Sequence, residues 1–377
     1  METKAMLSWL HIADLQMGSK GSDSDALLKD VESQLQATGV RPDFVAVTGD
    51  VARSGQWKHY QLAAEFFDSL LKRIDAAKDR LFIVPGNHDI DKRQVALGKG
   101  SGDDPKTSII APDRFVLDNY ARFIDEYLGE SMRLDASRYA YLRRLDWGGR
   151  KVAVAGLNTA AVGPPLHPSA PKDLISDFED QARSVLDQMG EDDVSIALLH
   201  HSLDSLPHQR GYGSIHAWLQ RCDFVLCAHT HSGDVLRVIQ SNGRALTIQG
   251  GSDPSFSQHP NAYNFVELDP GRGVCRVHFR QYDPGRRAWQ EDFRAHPKAV
   301  DGIYTFQLPE RLRTHPKSEP KEGYSPPLAG YTPDIVTGDD KLGIMSEVEA
   351  FSSVIAYKGL RPPLCLGVFG DWGSGKT

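Results

Sequence analysis

The sequence predicts an α/β layered domain with its functional groups at the ends of strands, and three observations predict it. Seven short apolar runs stop at polar or Gly-rich clusters: MLSWLHIAD, FVAVTGD, LFIVPGNHD, KVAVAGLNT, VSIALLHH, FVLCAHTH and ALTIQGG. Patterns of helical spacing lie between several of them. A later stretch, about residues 262–307, alternates apolar and polar residues in a β manner.

The first run ends in LHIADLQMG (Leu10–Gly18), where the apolar pattern gives way to Asp14 and Gln16. After the second run, residues 56–77 place Tyr60, Ala63, Ala64, Phe67, Leu70, Leu71 and Ile74 on one helical face, and residues 174–189 behave similarly. Residues 91–147 carry polar turns (LGKGSGDDPK) and then amphipathic helical stretches, which read as an insertion covering one side of the site. The segments NFVELD, VCRVHFRQYD and IYTFQL, separated by Gly/Pro turns, predict antiparallel strands that close the domain by residue 307. Residues 308–345, rich in Pro and charge, have the composition of a linker. Strand, loop and helix in alternation put the site at the strand ends.

Bulk properties narrow the class. The chain has 377 residues, enough for two or three domains on the usual size prior. A net charge of −7 shows no global basic field for nucleic acid or an anionic membrane. The tract GRGVCRVHFRQYDPGRR is locally basic and fits either a nucleic-acid backbone or, more simply, a solvated hairpin face. Cys222, Cys227, Cys275 and Cys365 are too scattered for a disulfide framework, and the N-terminus has no signal-like apolar run. These features predict a soluble cytoplasmic protein without a membrane partner, and they leave the oligomeric state open.

Any one polar strand end is ordinary; their coincidence is the signal. Asp14 follows the first run, Asp50 closes TGD, and Asn87, His88 and Asp89 lie in PGNHD. His200 and His201 end LLHH, and His229 and His231 lie in AHTH. Carboxylate, amide and imidazole groups at successive strand ends are what a two-metal site needs, with one carboxylate bridging ions that acidify water and screen phosphate charge. Mixed oxygen and imidazole donors suit manganese, iron or zinc. A rival zinc set of Cys222, Cys227, His229 and His231 conflicts with DFVLCAH being a buried strand, which puts positions 222 and 227 on opposite faces.

In the order DLQ, GD, GNHD, LHH and AHTH, the chain resembles the calcineurin-like metallophosphoesterase family over about residues 6–305. The resemblance implies two packed mixed β-sheets flanked by helices, a dinuclear metal centre and hydrolysis of a phosphoester. Carried over, Asp50 bridges the ions, Asp14 and His231 hold the first, and Asn87, His200 and His229 hold the second. His201 is the alternative to His200, which is preferred because it follows the strand directly. His88 protonates the leaving oxygen or steadies the phosphate, Asp89 orients it, and Arg53 contacts a phosphate oxygen or forms a surface salt bridge. Two positions depart from the pattern: Ala228 stands for Gly, a change of one methyl, and Gln16 stands for a first-metal His. An amide oxygen is the weaker ligand, so the first ion should bind more loosely.

The chain ends in LCLGVFGDWGSGKT, where Gly370, Gly375, Lys376 and Thr377 satisfy the phosphate-loop pattern after a strand-like run. The form GDWGSGKT looks like the loop of KAP-type NTPases. Residues 346–377 are therefore read as the incomplete start of such a domain, its remainder missing from this chain, with ATP and magnesium expected only where the domain is whole. The predicted substrate is a phosphodiester, either a cyclic nucleotide or a nucleic acid. A sensing module with little turnover and a phosphomonoesterase are the alternatives.

Overall fold

The computed structural model describes residues 6–19, 24–91, 117–129, 140–160, 181–190, 194–201, 219, 222–229, 238–240, 246–250 and 261–313. The chain divides into two units, Met1–Pro316 and Lys317–Thr377. The linker beyond residue 313 and the phosphate-loop residues Gly370, Gly375, Lys376 and Thr377 lie outside the described residues, as does His231.

Strands β1 (Leu7–Ile12), β2 (Phe44–Thr48) and β3 (Leu81–Val84) are buried along their whole lengths. They lie parallel to one another, β1 beside β2 and β2 beside β3. Parallel strands covered on both faces read as continuous apolar runs, which is how they appear in the sequence. The antiparallel strands β10 (Ala262–Asp269), β11 (Val274–Asp283), β12 (Ala288–Glu291) and β13 (Ile303–Gln307) complete this seven-stranded sheet, in the order β12-β11-β10-β1-β2-β3 with β13 on β11. The second sheet has six strands in the order β4-β5-β6-β7-β9-β8. These are β4 (Tyr141–Trp147), β5 (Arg150–Gly156), β6 (Val194–His201), β7 (Phe224–Ala228), β8 (Val238–Gln240) and β9 (Leu246–Gln249). Strands β5, β6, β7 and β9 run parallel, and the outer strands β4 and β8 pair antiparallel.

Aromatic side chains join the layers. Trp9 of β1 stacks on Phe44 at 5.7 Å and meets the edge of Phe224, from the other sheet, at 5.2 Å. Helices flank the sandwich: α1 (Ser24–Thr38), α2 (Trp57–Ile74) and the short α3 (Asp118–Phe123), which continues as a π-helical turn, Ile124–Leu128. The apolar face expected of α2 is the buried one, and Asp75, with φ 58°, ends the helix in the left-handed conformation. This is the two-sheet α/β architecture expected from the sequence. No helix among the described residues is long and apolar enough to cross a membrane.

The segment read as an insertion, 91–147, is in its described part integral to the fold. Tyr120, Phe123, Ile124 and Leu128 are buried in the main core, and residues 141–147 form β4, paired to β5. In β4, Tyr141, Leu145 and Trp147 are buried while Arg144 and Asp146 face outward, the alternation of a strand with one covered face. The basic tract is partly neutralised. Arg276 pairs with Glu267 at 2.6 Å, and Arg280 reaches Asp30 at 2.6 Å and Glu291 at 2.7 Å. Cys222 and Cys227 are both buried in the apolar cluster beneath the second sheet.

Candidate metal centre

The parallel strands deliver their carboxyl ends to one place. Asp14 follows β1, Asp50 follows β2, Asn87 follows β3, His200 lies near the end of β6, and His229 follows β7. Three of these loops turn sharply at the functional residue itself. Asp14 (φ 51°), Asp50 (φ 53°) and His229 (φ 59°) all take left-handed backbone conformations, as does Gln16 (φ 40°). Such strain on non-glycine residues persists where the surroundings hold it, and it is concentrated at functional sites. Here a ladder of backbone hydrogen bonds holds it: Asp14 N–H donates to Gly49 C=O (3.2 Å), Gln16 N–H to Asp50 C=O (2.8 Å) and Met17 N–H to Val51 C=O (2.9 Å).

His200 is the hub. Its Nδ1 lies 2.8 Å from the Thr48 carbonyl, which can only accept, so Nδ1 carries the proton and Nε2 is the nitrogen left to bind. Around Nε2 stand Asn87 Oδ1 at 2.9 Å, His229 Nδ1 at 3.2 Å and Asp50 Oδ1 at 3.5 Å. These groups converge on one point, an arrangement that a cation could bridge. A proton on Nε2 would serve one neighbour, whereas a metal ion would serve all of them. Asp14, Asp50 and His200 each offer a ligand atom within 4.8 Å of the others, and so do His200, His201 and His229. The donors mix carboxylate, amide and imidazole, a set suited to first-row divalent ions, and the residues present fit a metal centre. Asp50 Oδ1 also accepts the His88 backbone N–H at 2.8 Å.

Of the histidine pair, His200 reaches Asn87 and Asp50, whereas His201 turns its Nδ1 to the Thr159 hydroxyl at 3.1 Å. A register shift between Leu198 and His201 makes this arrangement, and the Thr159 hydroxyl lies 3.2 and 3.1 Å from the backbone N–H groups of both histidines. His200→Ala should therefore remove at least one bound ion, while His201→Ala should leave metal binding mostly intact. Isothermal titration of each variant with manganese checks this.

The other expected positions sort differently. His88 Nδ1 donates to the Arg53 backbone carbonyl at 3.0 Å. Arg53 thus orients His88 through its main chain, and its side chain is exposed. Asp89 does not orient His88. Its buried carboxylate accepts hydrogen bonds from the backbone N–H groups of Val51 (3.2 Å), Ala52 (2.8 Å) and Gly86 (2.9 Å) and from the Tyr60 hydroxyl (3.0 Å). It ties the loop after β2 to the loop after β3. Burial, reinforced by the nearby Asp50 carboxylate, pushes Asp89 up to about 7, although the backbone N–H groups favour its charged form. Gln16 is buried in the loop after β1.

Sequence reasoning missed the supports of this centre. Thr48 and Thr159 stand at the ends of the runs FVAVTGD and KVAVAGLNT, the same strand-end signal that picked out the ligands. The glycines of TGD and PGNHD make room. A Cβ on Gly49 would lie 2.5 Å from His200 Nδ1, and one on Gly86 only 2.1 Å from Asp50 Oδ1.

Fold and site together define a phosphoesterase-type metal centre at the carboxyl ends of a two-sheet sandwich. The calcineurin-like phosphoesterase family matches residues 7–233, and the chain belongs to that family. It is 32% identical over 132 residues to the glycerophosphodiester phosphodiesterase GpdQ of Enterobacter lignolyticus, a match covering 31% of this chain and 43% of that protein. The chain thus aligns with less than half the length of this curated relative. Among solved structures it is similar to GAP50, the anchor in the inner membrane complex of Plasmodium (16% identity, TM-score 0.42, 81% of this chain and 89% of that one). It is also similar to a dimetal phosphatase from Danio rerio (13% identity, TM-score 0.40, 73% of this chain and 95% of that one).

Proposed function

We propose that this chain is a metal-dependent phosphoesterase that hydrolyses a phosphodiester at a dinuclear centre. Asp14, Gln16 and His231 would hold the first ion, Asn87, His200 and His229 the second, and Asp50 both. The convergence of Asn87 Oδ1, His229 Nδ1 and Asp50 Oδ1 on His200 Nε2 carries this reading. Divalent ions bound there would acidify the attacking water and neutralise the phosphate oxygens. A water would give up a proton to solvent and attack phosphorus as the bond to the leaving oxygen breaks, and His88, protonated on both ring nitrogens, would supply that oxygen with the proton on Nε2. The Arg53 carbonyl fixes the orientation of the His88 ring through Nδ1–H, so that Nε2 is the nitrogen through which the protonated ring would act. The likeness to a phosphodiesterase supports a diester over a monoester.

Within this reading manganese, iron and zinc all suit the donors, and the substrate is a nucleotide or nucleic-acid diester. The sequence GDWGSGKT supports placing this domain as the effector of a longer NTPase-containing protein. Hydrolysis of bis-p-nitrophenyl phosphate with added manganese, compared with Asn87→Ala and His88→Ala variants, tests the enzyme reading. Wild type should be faster than both; equal rates across several metals would leave a sensing module that binds without turnover, the reading Gln16 favours. A parallel rate on p-nitrophenyl phosphate separates diester from monoester preference.

Gln16→His should tighten one ion by about tenfold, since imidazole is the stronger donor for first-row metals. A manganese titration of the variant beside wild type reads this as a shift in the weaker of two binding steps.

A further inference from the structure

The hydrogen bond that holds the His88 ring has two ends, and one short helix ties down both. The donor, Nδ1, belongs to the loop after β3; the acceptor, 3.0 Å away, is the Arg53 carbonyl in the loop after β2. Arg53 is fixed on its amide side, where its N–H donates to the Met17 carbonyl at 3.2 Å. On its carbonyl side the chain runs through Ser54 and Gly55 toward α2, and there the support comes from α3.

Asn119, in the first turn of α3, donates from Nδ2 to the Gly55 carbonyl at 2.8 Å. Gly55 takes φ 62°, and a Cβ on it would lie 2.5 Å from both the Asp89 carbonyl oxygen and the Asp91 backbone nitrogen. The two loops therefore press together at Gly55, the residue that Asn119 grips. One turn along α3, the Arg122 guanidinium lies 3.8 Å over the Trp57 ring, a second tie to the same stretch. Between these two, the Tyr120 hydroxyl donates to the Ile83 carbonyl at 3.1 Å, in the strand from which the His88 loop departs. Tyr120 and Phe123 anchor the helix in the main core. Both loops are thus referenced to one buried element.

We propose that Asn119 is a positioning residue for His88: through Gly55 it fixes the Arg53 carbonyl, and with it the ring that protonates the leaving oxygen. The proposal rests on the phosphoesterase reading of the metal centre. The Asn119 bond runs to the loop and not to any group proposed as a metal ligand, so its effect should be selective. An acid catalyst matters little when the leaving oxygen is a weak base and much when it is a strong one. Loosening His88 should spare esters of p-nitrophenol and penalise esters of phenol.

The test measures kcat and KM of the full chain with manganese on bis-p-nitrophenyl phosphate and on diphenyl phosphate. Asn119→Ala should lower kcat about tenfold on diphenyl phosphate and less than about threefold on bis-p-nitrophenyl phosphate, with KM and manganese content unchanged. In a His88→Ala background it should have no further effect on either diester, because the ring it positions is gone. Asn119→Gln, which keeps an amide donor, should retain part of the lost rate. A second readout needs no turnover. In the nitrogen NMR spectrum of the metal-free chain, with the His88 signals assigned by their absence from His88→Ala, the neutral wild-type ring should carry its proton on Nδ1. In Asn119→Ala the proton should divide between both ring nitrogens. Should Asn119→Ala fail to fold by circular dichroism, Asn119→Asp takes its place: it keeps the size and suits a first helical turn, but its carboxylate cannot donate to Gly55. No loss of rate, equal losses on the two diesters, losses that add to those of His88→Ala, or an unchanged His88 tautomer overturns the proposal. A tautomer that shifts in a chain hydrolysing neither diester would sink the phosphoesterase reading and keep the anchoring of His88 by Asn119.

Discussion

Asp50→Asn should lower the hydrolysis of bis-p-nitrophenyl phosphate by roughly a thousandfold, about 4 kcal/mol of transition-state stabilisation, while leaving the fold intact. Asp50 Oδ1 is 3.5 Å from His200 Nε2, and the residue shares a 4.8 Å cluster with Asp14 and His200. Asparagine keeps the size and an oxygen for the His88 N–H, so the loops keep their shape. What it loses is the negative charge between two cation positions. Two consequences separate this from simple unfolding. The metal-free variant should melt no lower than metal-free wild type, and manganese, which should raise the melting temperature of wild type by mass action, should not raise that of the variant. A thermal melt of both proteins with and without manganese reads both.

Gly86→Ala is the second large expectation, and it acts through space. Gly86 has φ −111°, a conformation any residue adopts, so alanine adds no backbone strain. Its methyl, however, would lie 2.1 Å from Asp50 Oδ1 and 2.4 Å from the Asp50 backbone nitrogen. Asp50 has little room to retreat, since its own φ is 53° and its carbonyl is held by Gln16 N–H. Overpacking of a rigid site costs about 1–3 kcal/mol, and here the displaced group is the carboxylate proposed to bridge the two ions. The expected result is a lower melting temperature together with loss of metal binding. Gly271→Ala, whose Cβ would meet only Asp269 Oδ1 at 3.4 Å, should change neither and serves as the control.

The carboxyl ends of the strands were legible because β1, β2, β3, β6 and β7 are parallel and covered on both faces. Burial of that kind leaves unbroken apolar runs, and the first polar residue after each run falls where the site forms. Asp14, Asp50, Asn87, His200 and His229, the groups proposed as ligands, were read this way. The preference for His200 over His201 had a weaker basis, because both follow the same apolar run and the distinction depends on the register shift beside Thr159. Asp89 was misassigned for a related reason. Its neighbour in sequence is His88, but its partners are the backbone of residues 51–52 and the Tyr60 hydroxyl, more than 25 residues upstream. Strand β4 went unrecognised because it follows a long polar stretch and carries Arg143, Arg144 and Asp146 among its apolar positions, which are spaced rather than continuous.

The supports of the centre share one design. Thr48 orients His200, Thr159 caps the shifted end of β6, Asp89 knots two ligand-bearing loops, and Gly49 and Gly86 let those loops approach. Partners that fix the tautomer and position of metal ligands are characteristic of built metal sites. The left-handed conformations at Asp14 and Asp50 are held by the hydrogen bonds from Asp14 N–H to Gly49 C=O and from Gln16 N–H to Asp50 C=O.

The most direct measurement is the metal content of the full chain, purified without chelator and analysed by inductively coupled plasma mass spectrometry beside His200→Ala. Two divalent ions per chain in wild type, with one or both lost in the variant, is the predicted result. Wild type carrying no metal above the buffer, and taking none up when manganese is added, would contradict the assignment of this site as a metal centre.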